Sequence, residues 1–173
     1  MSTLVTVVEN ESEYLKALAI RKRVFVEEQQ VPAELEVDEF EASCHHFLCY
    51  TEEKPAATGR LREKGVLIKF ERIATLPEFR GLGLGLELMK AMQQFALTHY
   101  PCLLPYMHAQ SSAIGFYQKL GWKQIGSNFM EAGIDHVAMT YLSKDLDRNL
   151  RQALMGMAEL PRPLQEFLQL EPS

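Results

Sequence analysis

The chain has 173 residues, 47% apolar and 24% charged, with a net charge of −5 at neutral pH. That is one domain's worth of sequence, enough for a single good core, and the acidic balance argues against a nucleic-acid binder, which carries a broad basic footprint. No apolar run approaches the ~18 residues of a membrane span, "MSTLVTVVENESEYL" lacks the regions of a signal peptide, and Cys44, Cys49 and Cys102 fit reduced thiols in a cytoplasm better than a disulfide frame.

"TLVTVV", residues 3–8, is rich in β-branched residues and predicts a first strand. Asn10 with Glu13 forms a capping pair, and Tyr14, Leu15, Leu18 and Ala19 follow at helical spacing. "RKRVFVEEQQVP" carries that helix, or a second one, to Pro32. The acidic run Glu34, Glu36, Asp38, Glu39 and Glu41 predicts a solvated loop; its functional reading is steering of a cationic ligand. "CHHFLCYT" and "AATGRLRE" predict a hairpin around Glu52-Glu53-Lys54-Pro55, and "VLIKFERIAT" a longer strand. On a strand, Cys44 and His46 face one side while His45 and Cys49 face the other, so the four do not converge on a metal and none is expected.

"EFRGLGLGLELMKAM", residues 78–92, places Arg80 and three alternating glycines ahead of a helical pattern of Leu88, Met89, Met92, Phe95 and Ala96, which Pro101 closes. Three glycines in five residues need a reason, because each costs conformational entropy. Either the backbone turns tightly without a ligand, or something approaches it closely. Charge favours the second. Residues 1–78 carry 10 basic and 15 acidic groups, whereas residues 79–130 carry Arg80, Lys90, Lys119 and Lys123 against Glu87 alone. Backbone N–H groups at a helix start, backed by an arginine, make an anion site. A P-loop needs Lys-Ser/Thr after its glycines, and Leu86-Glu87 stands there. A dinucleotide fingerprint needs Gly-x-Gly-x-x-Gly, which is missing.

Farther on, "CLLPYMHA" predicts an apolar strand that oddly carries Pro105. "SSAIGFYQKLGW" predicts a short helix capped by Ser111 or Ser112 and ended by Gly121. "WKQIGSNFMEAGIDHVAMTYL" predicts two final strands. Residues 143–173 add one or two helices, in which Leu146, Leu150, Leu154 and Met157 make an apolar face that the domain or a second subunit, as in a homodimer, must cover.

Together these motifs resemble the GNAT superfamily of acyl-CoA N-acyltransferases. Arg80, Gly83 and Gly85 match its Arg/Gln-x-x-Gly-x-Gly/Ala signature. Ala113, Tyr117, Gly121 and Trp122 match its segment Asn-x-x-Ala-x-x-x-Tyr-x-x-x-Gly-Phe, with Gln110 where Asn is usual. "RKRVFVEEQQVPAELEVDEFE" and "FMEAGIDHVAM" look most like the bacterial YjcF/ElaA-type branch. The resemblance covers about residues 3–142. It implies an α+β fold: a mixed, mostly antiparallel sheet of about seven strands with a splayed central pair, helices on both faces, and a helical extension over 143–173 behind a domain of 1–142. It implies acetyl-CoA as co-substrate, its pyrophosphate on Arg80, Gly81, Leu82, Gly83, Leu84 and Gly85, and its pantetheine along Ile73, Ala74, Thr75 and Gln110. Pro105 would then sit where the ladder opens. The acceptor is a small-molecule or peptide amine. The matching tyrosine, Tyr117, protonates the departing sulfur; core packing is the other reading of that residue. Glu71, His108 and His136, or water, are the candidates for the base. A non-catalytic acyl-CoA-binding module on the same fold is the alternative.

Overall fold

The computed structural model describes residues 2–141, Gly156 and 160–170. The stripe Leu146, Leu150, Leu154 and Met157 lies outside them. Seven strands form one sheet in the order β1-β2-β3-β4-β5-β7-β6. Two compact units divide the described residues: one runs to Arg62 and resumes over Phe70–Pro101, the other takes Glu63–Lys69 and the residues from Cys102 onward.

In the first unit, β1 (Thr3–Val7) pairs antiparallel with β2 (His45–Thr51), and β2 with β3 (Lys54–Lys64). The β2–β3 turn is shorter than expected. Glu52 and Glu53 both take positive φ, 48° and 66°, as a two-residue hairpin turn requires. Helix α1 (Glu11–Arg21) begins at Asn10, whose side chain accepts from Glu13 N, as the capping pair predicted. It runs on as a π-helical turn over Lys22–Glu28. Its buried face is Ala17, Ile20, Arg21 and Val24, while Leu15 is exposed. The apolar count misplaced that face because a buried arginine lies on it. The acidic stretch is not all loop: α2 (Ala33–Glu36) is a short helix. Helix α3 (Leu84–His99) buries Leu84, Leu88, Met89, Met92 and Ala96, at the spacing expected. On β2, Leu48 packs with Ala17 and Ile20 of α1, while Phe47 meets Phe95 of α3. Alternation along the strand therefore puts helices on both faces.

In the second unit, the start of β4 (Leu67–Thr75) pairs parallel with β5 (Leu104–Gln110), from Leu67↔Leu104 to Lys69↔Tyr106. β7 (Ile134–Thr140) runs antiparallel to both β5 and β6 (Lys123–Glu131). Pro105 lies inside the β4–β5 ladder, opposite Ile68, not where it opens. Leu104 N–H bonds Val66 O, so the next nitrogen points toward β7, whose ladder begins one residue later at Tyr106↔Thr140. A proline there forfeits no ladder bond. Helix α4 (Ile114–Gln118) has no side-chain cap; Ser111 instead accepts from Asn128. Gly121 ends the turn at φ +92°, and a Cβ there would meet Tyr141 at 2.9 Å. Helix α5 (Arg162–Leu170) brings Leu164 and Leu168, with Leu160 just before it, against Leu67, Leu104, Tyr106, Ile125 and Ala138.

Candidate functional site

In the first unit the chain leaves β4 through Leu76 and a 3₁₀ turn, Pro77–Phe79, into the glycine stretch. Gly81 and Gly83 both have φ +79°, and a Cβ at either would meet nothing. They are glycine for backbone conformation, not for crowding. Gly83 is the N-cap of α3 and supplies no side-chain cap. The first intrahelical bond runs from Glu87 N to Gly83 O. The amides of Leu84, Gly85 and Leu86 are therefore the donors a helix start leaves unmatched, and the positive end of the helix dipole lies with them.

Arg80 is engaged. Its guanidinium pairs in two-pronged fashion with Glu28 at 2.8 and 2.7 Å, and its Nε donates to Thr75 O at 3.1 Å. The Arg80 hydrogen bond holds the Glu28 carboxyl below its ordinary range. Arg72 takes φ +56° within β4, a bulge-like kink just before Ile73. Its side chain donates to the carbonyls of Leu35 and Glu36.

Glu71 lies between two arginines. It accepts from Arg60 Nη2 at 2.6 Å and Arg62 Nη2 at 2.8 Å, among other contacts, and its side chain is 12% exposed. The acidic run meets the same arginines. Arg21, fully buried, binds Glu36 and Glu41; Arg60, also fully buried, binds Asp38, Glu41 and Glu71. The steering role expected of this run is corrected for Glu36, Asp38 and Glu41, which tie α2 and its flank to the sheet. Glu71, considered for the base, is held in the same way by the guanidinium N–H groups of Arg60 and Arg62. His45 meets Tyr100 and Phe95, while His46 meets Tyr14 and Glu41 O, so the two histidines diverge.

In the second unit, Tyr106, His108 and Gln110 share one face of β5, and the register adds Ala138 and His136 of β7 and Phe129 and Glu131 of β6. Helix α5 covers the Tyr106–Ala138 end. At the other end His108 Nδ1 lies 3.2 Å from Glu131 Oε1, and His136 Nε2 lies 3.9 Å from Glu131 Oε2. His136 Nδ1 is bound to Ile134 O at 2.8 Å. Sequence reading singled out both histidines and missed Glu131, whose only signal was its place at the end of a strand. Tyr117, on α4, is 8% exposed, and burial drives its phenol well above the ordinary value.

A model of the acetyltransferase (GNAT) domain family matches residues 8–143. The chain belongs to that family. It is 38% identical over 134 residues to the N-acetyltransferase YjcF of Bacillus subtilis, covering 77% of this chain and 95% of YjcF. It is 41% identical over 147 residues to the B. subtilis protein YyaT, covering 81% and 94%. Among solved structures, Escherichia coli ElaA superposes with a TM-score of 0.74 at 22% identity, over 82% of this chain and all of ElaA. The GNAT fold and N-acetyltransferase class therefore hold for this chain. No helix among the described residues is long and apolar enough to cross a membrane.

Proposed function

We propose that this GNAT protein moves an acetyl group from acetyl-CoA to a primary amine, on a small molecule or a peptide, by direct transfer. The observation that carries the reading is the start of α3: unmatched amides, no side-chain cap, and two left-handed glycines that leave the backbone bare. That arrangement fits a diphosphate. Arg80 is the matching cation and exchanges Glu28 for the ligand. Ile73, Ala74 and Thr75 take the pantetheine arm.

The chemistry needs a free amine and a protonated leaving sulfur. Tyr117, whose phenol is protonated at neutral pH as any tyrosine's is, is the acid. Among the three side chains considered for the base, Glu71 is committed to Arg60 and Arg62, which leaves the two histidines, or water. The rival reading is an acyl-CoA-binding module without turnover. Release of free thiol from acetyl-CoA, measured across a panel of amines and peptides, separates the two. Amine-dependent release with mass-verified acetylation is expected; tight acetyl-CoA binding with no release from any acceptor would leave the binding module.

A further inference from the structure

We infer that Glu131 is a positioning residue that holds the His108 imidazole with its proton on Nδ1, so that Nε2 is the atom that takes the proton from the acceptor amine. This rests on the acetyltransferase reading and names the base which that reading left open between two histidines and water.

An ionised carboxylate only accepts hydrogen bonds, so the contact of 3.2 Å between His108 Nδ1 and Glu131 Oε1 fixes the proton on Nδ1. The His108 hydrogen bond, outweighing burial, keeps the Glu131 carboxyl below its ordinary range, with His136 and Lys69 adding to the effect. Among the described residues, His108 Nε2 has no hydrogen-bond partner. The ring itself is held edge-on between Tyr106 and Phe129, at 5.5 and 4.8 Å. Orientation and tautomer are thus both set, and one lone pair is left over.

His136 lacks that combination. Its Nδ1 donates to Ile134 O, its Nε2 faces Glu131 beyond hydrogen-bond reach, and its side chain is 10% exposed against 29% for His108. Its part is to add a second imidazole beside the carboxylate. The β6–β7 turn makes the arrangement. Ala132 and Gly133 take φ +49° and +76°, a tight reversal that puts Glu131 opposite Ile134 and sends the strand back past His136 to lie beside β5.

The step balances as follows. The amine enters as R–NH3+ and gives one proton to His108 Nε2. The freed lone pair forms the N–C bond at the thioester carbonyl. The C–S bond breaks, and the second nitrogen proton ends on sulfur by way of Tyr117. His108 returns its proton to solvent, leaving the amide and the free thiol.

The test uses the full-length protein and its best amine from the thiol-release panel. Imidazole ¹⁵N spectra should show His108, assigned by its loss in His108→Gln, with the proton on Nδ1 and a bare Nε2, and a mixture of tautomers in Glu131→Gln. Glu131→Gln should lower kcat by about 10-fold or more, a share of the ~10²–10⁴ a positioned base supplies. Acetyl-CoA affinity and melting temperature should stay at wild-type values. Glu131→Asp should restore part of the loss. In a His108→Gln background, Glu131→Gln should have no further effect. A wild-type proton on Nε2, a full-rate Glu131→Gln enzyme, or losses that multiply in the double variant would each overturn the assignment while leaving amine acetylation standing. No thiol release by wild type with any amine would overturn the acetyltransferase reading and the base with it.

Discussion

Around β2–β4, four arginines (Arg21, Arg60, Arg62 and Arg72) close on four carboxylates, Glu36, Asp38, Glu41 and Glu71. Around β5–β7, one carboxylate serves two imidazoles and a ring nitrogen is left over. Both are charged clusters on a sheet face, yet they can do different things. Guanidinium cannot give up its proton and presents several donors, so the oxygens of a carboxylate among arginines are taken up as hydrogen-bond acceptors. Imidazole exchanges a proton near neutrality, so a carboxylate beside it sets which nitrogen does so. The first cluster holds a structure together; the second can move a proton.

The largest effect is expected from breaking the closed cluster. Arg60→Ala takes from Asp38, Glu41 and Glu71 the cation they share, leaving them Arg72, Arg21 and Arg62, and should cost about 3–5 kcal/mol of stability, the range for removing one partner of a buried ion pair. Chemical denaturation measures it; a loss below about 1 kcal/mol would mean that water screens the cluster. The second unit is closed by leucines instead. Leu164 is fully buried, and Leu164→Ala should cost about 2–5 kcal/mol as a cavity on the Tyr106–Ala138 face, read in the same assay. An unchanged midpoint would make α5 a dispensable cover.

Next in size is a rate effect. Tyr117→Phe keeps the ring and removes the proton, so kcat should fall by about 10²-fold while acetyl-CoA affinity holds. A variant with more than half the wild-type kcat, chemistry being rate-limiting, would return Tyr117 to a packing role. Arg80→Ala should weaken acetyl-CoA binding by about 1.5–3 kcal/mol, the worth of charge-assisted bonds. Glu28→Gln frees the same guanidinium and should tighten binding. Calorimetry of both variants decides the matter; unchanged affinity in Arg80→Ala would remove the loop from the binding site.

The smallest and most gradual effect is on acid stability. Burial alone would raise Asp38 and Glu41, but hydrogen bonds and charge from Arg60 and Arg21 outweigh it and leave both below their ordinary values. Groups depressed by folding stabilise fully above the unfolded value, near pH 4, and lose that contribution as pH falls through the lower folded value. The denaturation midpoint should drop below about pH 4, and less so in Arg60→Ala. An equal slope in the two proteins would exclude the network as its source.

Sequence by itself determined the strands, the position of α3 and the glycine loop. Each depends on local periodicity or on a backbone angle that only glycine takes without cost, and Gly81, Gly83 and Gly121 do take it. The capping of α1 by Asn10 was equally local. Tertiary structure alone decided which charges were committed. Arg21 reads as a surface residue in a helical pattern and is buried. Glu71 reads as an available base on a strand and is held by arginines from another strand. Glu131 reads as a strand end and lies against a histidine 23 positions away with a strand between them. Hydrophobic spacing specifies which face of α3 turns inward, though not of α1, where Arg21 is buried. Whether a carboxylate meets a guanidinium or an imidazole depends on strand register and a two-residue turn, and the chain sets those only when the sheet assembles.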